Sequence, residues 1–209
     1  MRSFVIVCAS ALIGVTACAQ SAPDLDASDV AASVTGAVET VAANIAPSAA
    51  PNVPSEPPYI VLSANHDEPN GYGFCMDTYG PGQTDLMQTH SCKPAKADAA
   101  RDYSGHDTRF EYNQATQQVM SYPFEGYCMQ ALLASDVTVF ALLECSDHPR
   151  QKFAYNADNQ TLRLAEDDSR CVTVASKTVP AGPWVKRPLQ LETCSDVDAS
   201  LKQWTIAAP

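Results

Sequence analysis

The stretch Phe74-Cys75-Met76-Asp77, with Cys92 and Phe110 after it, opens a pattern that the chain repeats twice more. Each repeat has a first cysteine in a short run, a second cysteine and then a large aromatic residue. The cysteines of the three repeats lie 17, 17 and 23 residues apart. Internal repetition fixes an architecture before single elements are assigned, so we expect three copies of one short β unit. The later repeats are Tyr127-Cys128-Met129-Gln130 with Cys145 and Phe153, and Arg170-Cys171-Val172-Thr173 with Cys194 and Trp204.

The residue pattern from Tyr59 onward predicts many short strands. Apolar runs such as Tyr59-Ile60-Val61-Leu62 alternate with turn signals such as Asn70-Gly71 and Pro81-Gly82. Regularly spaced short strands with turn residues between them indicate an all-β barrel or sandwich. Threefold repetition then favours a β-trefoil over residues 59–209, with three pseudo-repeats, or lobes, around one axis. We expect the three aromatic markers, Phe110, Phe153 and Trp204, to meet in its core.

The eight cysteines divide cleanly among three roles. Cys8 lies in an N-terminal apolar run, Cys18 follows that run, and six remain for the repeats. Six cysteines allow 15 connectivities, and the repeat itself favours one bridge per lobe. Each bridge is expected to add about 3 kcal/mol. A zinc site is a weaker interpretation, because no C-x-x-C spacing occurs. The predicted pairs are Cys75–Cys92, Cys128–Cys145 and Cys171–Cys194.

The N-terminus predicts a targeting segment. Arg2 precedes a short apolar run from Phe4 to Gly14, which is too short for a membrane-spanning helix. The following Val15-Thr16-Ala17-Cys18 resembles the lipobox of bacterial lipoproteins. That resemblance implies that 1–17 is a signal peptide and that Cys18 carries lipid, including acyl chains such as palmitate. The alternative is an ordinary secretory signal in which Cys18 has no role.

Residues 18–58 are predicted to be a lipidated tether rich in Ala and Pro. Its Pro-rich end should be extended. Val30, Val34, Val38 and Val41 fall at helical spacing, so a short partner-binding helix is the alternative to a plain spacer. The residue after Cys18 is Ala19, whereas an Asp at that position would resemble an inner-membrane retention signal. We therefore expect attachment to the cell envelope, with the outer membrane favoured.

The chain of 209 residues has a net charge of −11 and no basic cluster. Nucleic-acid binding needs Lys and Arg along the phosphates, so it is not expected. Docking to anionic lipid by charge alone is disfavoured for the same reason. Excess acid favours a solubility role or a neutral or cationic partner. No cofactor is indicated, and a monomer is expected.

The Cys-x-Asp, Cys and Gln-x-aromatic pattern over 59–209 resembles the ricin B-type lectins, whose QxW repeats build a trefoil. Only the second lobe keeps the glutamine, as Gln151-Lys152-Phe153. The other markers are Thr108-Arg109-Phe110 and Lys202-Gln203-Trp204. The resemblance implies a carbohydrate-binding domain.

In that family one lobe binds one sugar through a carboxylate, a polar side chain, a ring and an amide. Charged acceptors make strong hydrogen bonds to hydroxyl groups, and a ring covers the apolar face of a sugar. The resemblance assigns these roles in the first lobe to Asp77, Gln88, His90 and Asp107, where Asp107 stands in place of the family's Asn. Tyr79 and Tyr103 are further rings nearby. The alternative is a purely structural role, in which Asp77 only caps a turn.

The other lobes depart from the pattern. The second has Gln130, Ala141 and Leu143 at the three positions, which predicts a packed strand without a sugar site. The third keeps Gln190 but has Thr173 and Glu192, and its longer disulfide loop carries Trp184, either as a displaced platform or as loop packing.

Enzyme interpretations are weaker. No H-E-x-x-H or G-x-S-x-G occurs, and only His66-Asp67-Glu68 with His106-Asp107 suggests a metal or acid–base cluster. We therefore predict a lipid-anchored, non-catalytic protein that binds a saccharide or glycoconjugate, mainly through the first lobe. The alternatives are a trefoil that acts as a protein-interaction or structural module of the envelope, and an accessory module for an enzyme on another chain.

Overall fold

A computed structural model of the chain describes residues 48–78, 86–94, 107–134 and 137–209. The predicted signal peptide, Cys18, most of the predicted tether, Tyr79, Tyr103 and His106 lie outside these ranges. The described residues form fourteen β-strands and three short 3-10 turns, which confirms the all-β prediction. Among them no helix is long and apolar enough to cross a membrane.

Three lobes of four strands each follow one another along the chain. The first lobe comprises β1 (Tyr59–Leu62), β2 (Phe74–Thr78), β3 (Met87–Ser91) and β4 (Phe110–Asn113). The second comprises β5 (Gln118–Ser121), β6 (Tyr127–Ala134), β7 (Val137–Glu144) and β8 (Phe153–Asn156). The third comprises β9 (Thr161–Leu164), β10 (Asp167–Val174), β13 (Leu189–Thr193) and β14 (Trp204–Ala207), with an inserted pair, β11 (Val179–Ala181) and β12 (Trp184–Arg187).

Strand pairing repeats with the lobes. The outer strands pair across lobe boundaries, β1 with β14, β4 with β5 and β8 with β9, all antiparallel. The inner strands pair within each lobe, β2 with β3, β6 with β7 and β10 with β13. This arrangement is a β-trefoil, in which the first set forms the barrel and the second set covers one end.

The core and the bridges follow the predicted repeat. Phe110, Phe153 and Trp204 are fully buried and belong to one hydrophobic core. Each lobe closes its own disulfide, with Cα–Cα separations of 5.0, 4.9 and 5.0 Å. The predicted connectivity is therefore confirmed. Burial of large rings at equivalent points in three lobes explains why the aromatic marker is retained where the glutamine is not.

The described part of the predicted tether lies against the trefoil. The amide of Asn52 donates to the carbonyl of Gly71 at 2.7 Å. Ser55 is buried, and its hydroxyl donates to the carbonyl of Lys93 at 2.8 Å. Residues 48–58 therefore contribute packing to the domain. The boundary at residue 59 stays a prediction from sequence.

The third lobe reaches the first through its insertion. Strand β12 pairs with β3, with Lys186 opposite His90 and Arg187 opposite Thr89. The guanidinium of Arg187 donates to the carbonyls of Ala175 and Ser176 and to the carboxylate of Asp67. The insertion is thus held to both lobes. It places a strand of the third lobe beside the predicted sugar site of the first.

Candidate functional site

The pairing of β2 with β3 brings three of the four predicted site residues to one face. Asp77 lies opposite Gln88, and Cys75 lies opposite His90. Alternate side chains of a strand point to the same face, so Asp77, Gln88 and His90 share the face that carries the disulfide. The fourth residue, Asp107, is joined to this pair of strands because the amide of Thr78 donates to its carbonyl at 3.4 Å.

Lys93 links the two carboxylates. Its Nζ donates to Oδ2 of Asp107 at 2.7 Å and lies 3.1 Å from Oδ2 of Asp77. All three residues are buried, and Asp77 is only 1% exposed. A buried carboxylate is costly unless a cation compensates it, and here one ammonium group serves two. The sequence pattern did not identify Lys93, since the resemblance assigns no role to the residue after the second cysteine.

Burial shifts the protonation of this cluster. Removal from water raises the pKa of Asp77 to about 7, against the attraction of Lys93, and the nearby Asp107 adds to the rise. Although burial alone would lower it, the pKa of Lys93 is raised, because both carboxylates stabilise the ammonium form. Lys93 therefore stays charged, and Asp77 is the carboxyl group that titrates near neutral pH.

His90 is neutral at physiological pH. Burial and the positive charge of Lys93 lower its pKa to about 4. Its Nδ1 lies 3.2 Å from the carbonyl of Ser91, the geometry of a donating N–H, and 3.9 Å from Oδ2 of Asp77. The ring is 7% exposed, so its faces present little area to solvent. Its role as a sugar platform stays a prediction that requires the groups over it to move.

Three acceptor atoms of the described site residues lack a hydrogen bond, and one of them, Oδ2 of Asp77, has an ion pair with Lys93. Within the part of the chain that the structure describes, Oδ1 of Asp77 and Oε1 of Gln88 are buried without a hydrogen bond. Buried polar atoms are normally paired, and each exception calls for an explanation. These two residues face one another across β2 and β3 and would accept hydrogen bonds from a ligand that carries hydroxyl groups.

The second and third lobes anchor the segment around the second cysteine from the marker position. Gln151, the retained glutamine, donates to the carbonyl of Glu144 at 2.9 Å and to Oε1 of Gln130 at 3.0 Å. Lys202 in the third lobe donates to the carbonyl of Val197 at 2.6 Å and to that of Cys194.

In the first lobe the marker position holds Thr108, whose hydroxyl lies 3.4 Å from that of Ser55. The hydroxyl of Ser55 donates to the carbonyl of Lys93, whose equivalent in the second lobe, the carbonyl of Ser146, accepts from Gln118. The segment before the trefoil therefore contacts the residue that follows Cys92. It helps to hold Lys93 in the first-lobe cluster.

The second lobe has the expected apolar surface. Gln130 lies opposite Ala141, and Cys128 lies opposite Leu143. Gln130 is engaged by Gln151, Ala141 is buried, and Leu143 is 37% exposed. The described residues offer no charged acceptor at these three positions.

The third lobe contains an open cavity at the equivalent place. Thr173 lies opposite Gln190, and Cys171 lies opposite Glu192. A cavity of about 290 Å³ opens there, and its polar lining includes Thr173, Gln190, Glu192, Asp196 and Asp198. The two aspartates follow Cys194, outside the positions that the resemblance assigns, so the sequence pattern alone did not find them.

Trp184 does not line the third-lobe cavity. It lies on β12, which pairs with β3 of the first lobe, and its ring centroid is 6.2 Å from that of Tyr72. The predicted displaced platform is therefore positioned beside the first lobe. The longer disulfide loop of the third lobe therefore packs along the first lobe.

The acidic and histidine residues named as an enzyme alternative have other contacts. Glu68 is buried and accepts hydrogen bonds from the amides of Asn70 and Tyr72 and from the hydroxyl of Ser91. Nε2 of His66 lies 2.9 Å from the carbonyl of Ser200. In the described ranges no group of His, Cys, Asp and Glu side chains could hold a metal ion.

Comparisons with known proteins support the fold. No family model matches the sequence, and no curated protein matches it. The chain is similar to the solution structure of the mdaA-1 domain, with 13% identity over 78% of this chain and 98% of that one and a TM-score of 0.50.

Two solved lectins also resemble the chain. One is the β-trefoil lectin of the Vibrio vulnificus haemolysin/cytolysin with N-acetyl-D-lactosamine bound, at 12% identity, 72% and 92% coverage and a TM-score of 0.47. The other is a mutant earthworm lectin C-terminal domain with 6'-sialyllactose, at 10% identity, 73% and 100% coverage and a TM-score of 0.46.

Proposed function

We propose that this protein is an exported, lipid-anchored trefoil that binds carbohydrate without catalysis through its first lobe. The observation that carries the proposal is the pair of buried, unpartnered acceptors, Oδ1 of Asp77 and Oε1 of Gln88, on one face of β2 and β3. Vicinal hydroxyl groups of a sugar supply the donors that these atoms lack. A trefoil fold by itself does not imply this activity, so the site must support it.

The charge arrangement supports an acceptor role. Lys93 holds Oδ2 of Asp77 and leaves Oδ1 unpaired, so the carboxylate is oriented before a ligand arrives. In its ionised form, which predominates above pH 7, an oriented carboxylate forms the stronger class of hydrogen bond. Because Asp77 is 1% exposed, a sugar hydroxyl reaches it only after the cluster opens, and that opening costs free energy. We expect weak binding, in the high-micromolar to millimolar range.

The third-lobe cavity is a second candidate site for the same activity. It is open, and Gln190 with Glu192 occupies the positions of Gln88 and His90 on the equivalent pair of strands. Three carboxylates line it, whereas the described part of the first-lobe site has the carboxylates of Asp77 and Asp107, both paired with Lys93. The two sites differ enough that single substitutions separate them.

Ligand-observed NMR with a panel of methyl glycosides at millimolar concentration tests the proposal. We expect Asp77→Asn to weaken binding about tenfold or more, with little effect from Gln190→Ala. The reverse result assigns the activity to the third lobe. The matched control is Gln130→Ala in the second lobe, which should leave the signals unchanged.

Absence of binding by every glycoside to a folded, oxidised chain contradicts the proposal. That outcome favours a trefoil that serves as a protein-interaction or structural module of the envelope. Mass spectrometry of the mature N-terminus tests the anchor: acylated Cys18 is expected, and an unmodified, released chain contradicts it.

A further inference from the structure

A second, smaller cavity lies where the three lobes meet, beside Gln88. Its volume is about 160 Å³, and its walls come from β3 and the residue before it, from β7, and from the junction of β12 with β13. Two polar residues, Gln88 and Lys186, complete the lining. The apolar lining residues are Leu86, Met87, Val139, Phe140, Pro188 and Leu189.

The cavity forms where β3 changes its neighbour. On the edge away from β2, Thr89 and His90 pair with β12, whereas Met87 pairs with Phe140 of β7. Gln88 stands at the change-over, and Pro188 turns the chain out of β12 and into β13 at the same level. Two strands that diverge from one edge leave a gap, and here apolar side chains line it without filling it.

Gln88 belongs to both the cavity and the proposed sugar site. Its Cα lies opposite Asp77 in the pairing of β2 and β3, and its side chain lines the cavity. The side chain is 7% exposed, and among the described residues nothing donates to its Oε1. A ligand that satisfies Oε1 of Gln88 therefore has the cavity next to it.

From this continuity we propose that the first-lobe site takes a glycoside whose aglycone is a small apolar ring, with the ring in this cavity. The proposal rests on the proposed function, since it names the ligand class of the same site. An apolar cavity of about 150 Å³ accommodates benzene, so a phenyl group fits the available volume. Larger aglycones extend past the rim, where Leu86 and Val139 are 38% and 39% exposed.

Burial of the ring supplies binding free energy that the polar cluster alone does not provide. Removal of apolar surface from water is favourable roughly in proportion to area, and the cavity walls provide apolar contact on several sides. The sugar hydroxyls, donating to Gln88 and Asp77, fix the orientation. Mostly apolar walls with a few placed polar groups are the usual composition of a small-molecule site.

The test compares methyl and phenyl glycosides of the same sugars by NMR titration of the full chain, purified without glycosidic detergents. The panel covers both anomers of galactose, N-acetylgalactosamine, glucose and mannose. We expect the phenyl glycoside of the preferred sugar to bind at least about tenfold more tightly than the methyl glycoside.

Substitutions on β7 locate the ring. Val139→Phe fills the cavity from an exposed position and should remove the advantage of the phenyl glycoside while methyl glycoside binding persists. Leu143→Phe is the matched control, because Leu143 is on the same strand, is similarly exposed and does not line the cavity. It should leave the advantage intact, and thermal unfolding verifies that both variants fold.

The outcomes separate the two proposals. If methyl glycosides bind in a manner that depends on Asp77 but the phenyl group adds nothing, or its advantage survives Val139→Phe, the cavity inference is wrong and the proposed function stands. If no glycoside of either kind binds, the proposed function fails and the inference fails with it. If free phenol binds but no glycoside does, the result contradicts both the proposed function and the cavity inference.

Discussion

Lys93 compensates the charge of the two buried carboxyl groups in the first-lobe cluster. Two carboxylates lie on either side of its ammonium group, at 3.1 and 2.7 Å, in a site that is almost closed to water. Coulomb attraction is strong there because water does not screen it. Removal of the cation leaves two buried carboxyl groups without compensation.

Replacement of Lys93 tests this dependence. We expect Lys93→Met to lower the free energy of unfolding by about 3 kcal/mol, because a broken buried ion pair leaves an uncompensated charge. The matched control is Lys152→Met, whose partner Asp147 lies at the same 3.1 Å but is exposed. That change should cost less than about 1 kcal/mol. Equal losses in urea unfolding would contradict the assignment.

Asp77 and His90 should give opposite pH dependences. The pKa of Asp77 is about 7 in the fold against an ordinary 3.8, so the folded state holds its proton longer and stability falls as pH rises from about 4 to 7. The pKa of His90 is about 4 against 6.5, so its burial costs stability as pH falls from about 6.5 to 4. In the wild-type protein the two effects partly cancel.

Two substitutions resolve this cancellation. Relative to wild type, Asp77→Asn should gain stability as pH rises from 4 to 8, by on the order of 3 kcal/mol. His90→Gln should instead gain relative stability as pH falls across the same range. Urea unfolding at several pH values measures both differences. Parallel trends in the two variants would show that the cluster is open to solvent.

At the scale of elements, the segment before β1 packs against the trefoil. Gly73 has φ of 80°, and a Cβ built there would lie 2.4 Å from Cβ of Pro51. Gly73 therefore serves two needs, a left-handed backbone and a close approach of the segment. The contact lies next to β2, whose first residue is Phe74, so it supports the strand that carries Asp77.

A pair of glycine substitutions measures this contact. Gly71 has φ of 75° with nothing within 4 Å of a built Cβ, so Gly71→Ala costs only backbone strain, about 1 kcal/mol. Gly73→Ala should cost about 2 kcal/mol or more, since Pro51 must also move. In a chain that lacks residues 48–55 most of this difference should disappear, because only the smaller contact with Cγ2 of Val61 at 3.3 Å remains. An undiminished difference there would contradict the role of Pro51.

At the scale of the whole molecule, tyrosines tie the lobes together. The hydroxyl of Tyr112 donates to the carbonyl of Phe153, and that of Tyr155 donates to the carbonyl of Trp204, both at 2.8 Å. Each bond runs from one lobe to the next. The third lobe has Ile206 at the equivalent place, so the series ends there.

Removal of these hydroxyl groups should weaken the fold unequally. Tyr112 also accepts from the amide of Tyr155 at 3.2 Å, so Tyr112→Phe should cost about 2 kcal/mol and Tyr155→Phe about 1 kcal/mol. Tyr122→Phe serves as the control, because that ring is 48% exposed and its packing with Arg109 does not need the hydroxyl group. Denaturant unfolding measures the stability of all three variants. Equal costs would contradict a stabilising role for the two tyrosine hydrogen bonds between lobes.

The sequence by itself determined what repeats. Cysteine and aromatic spacing recur in every lobe because each lobe solves the same packing problem, so the trefoil, its three bridges and the buried Phe110, Phe153 and Trp204 could be predicted. The family resemblance named Asp77, Gln88 and His90, and the pairing of β2 with β3 places them on one face.

Only the tertiary structure decided what breaks the repeat. Lys93 reaches both carboxylates because the chain before β4 returns beside β2, and β12 of the third lobe lies along the first. The unpaired acceptors and the cavity at the change-over of β3 depend on contacts between residues far apart in the chain. Local pattern carries no information on such distances, so the sequence pattern did not identify these features.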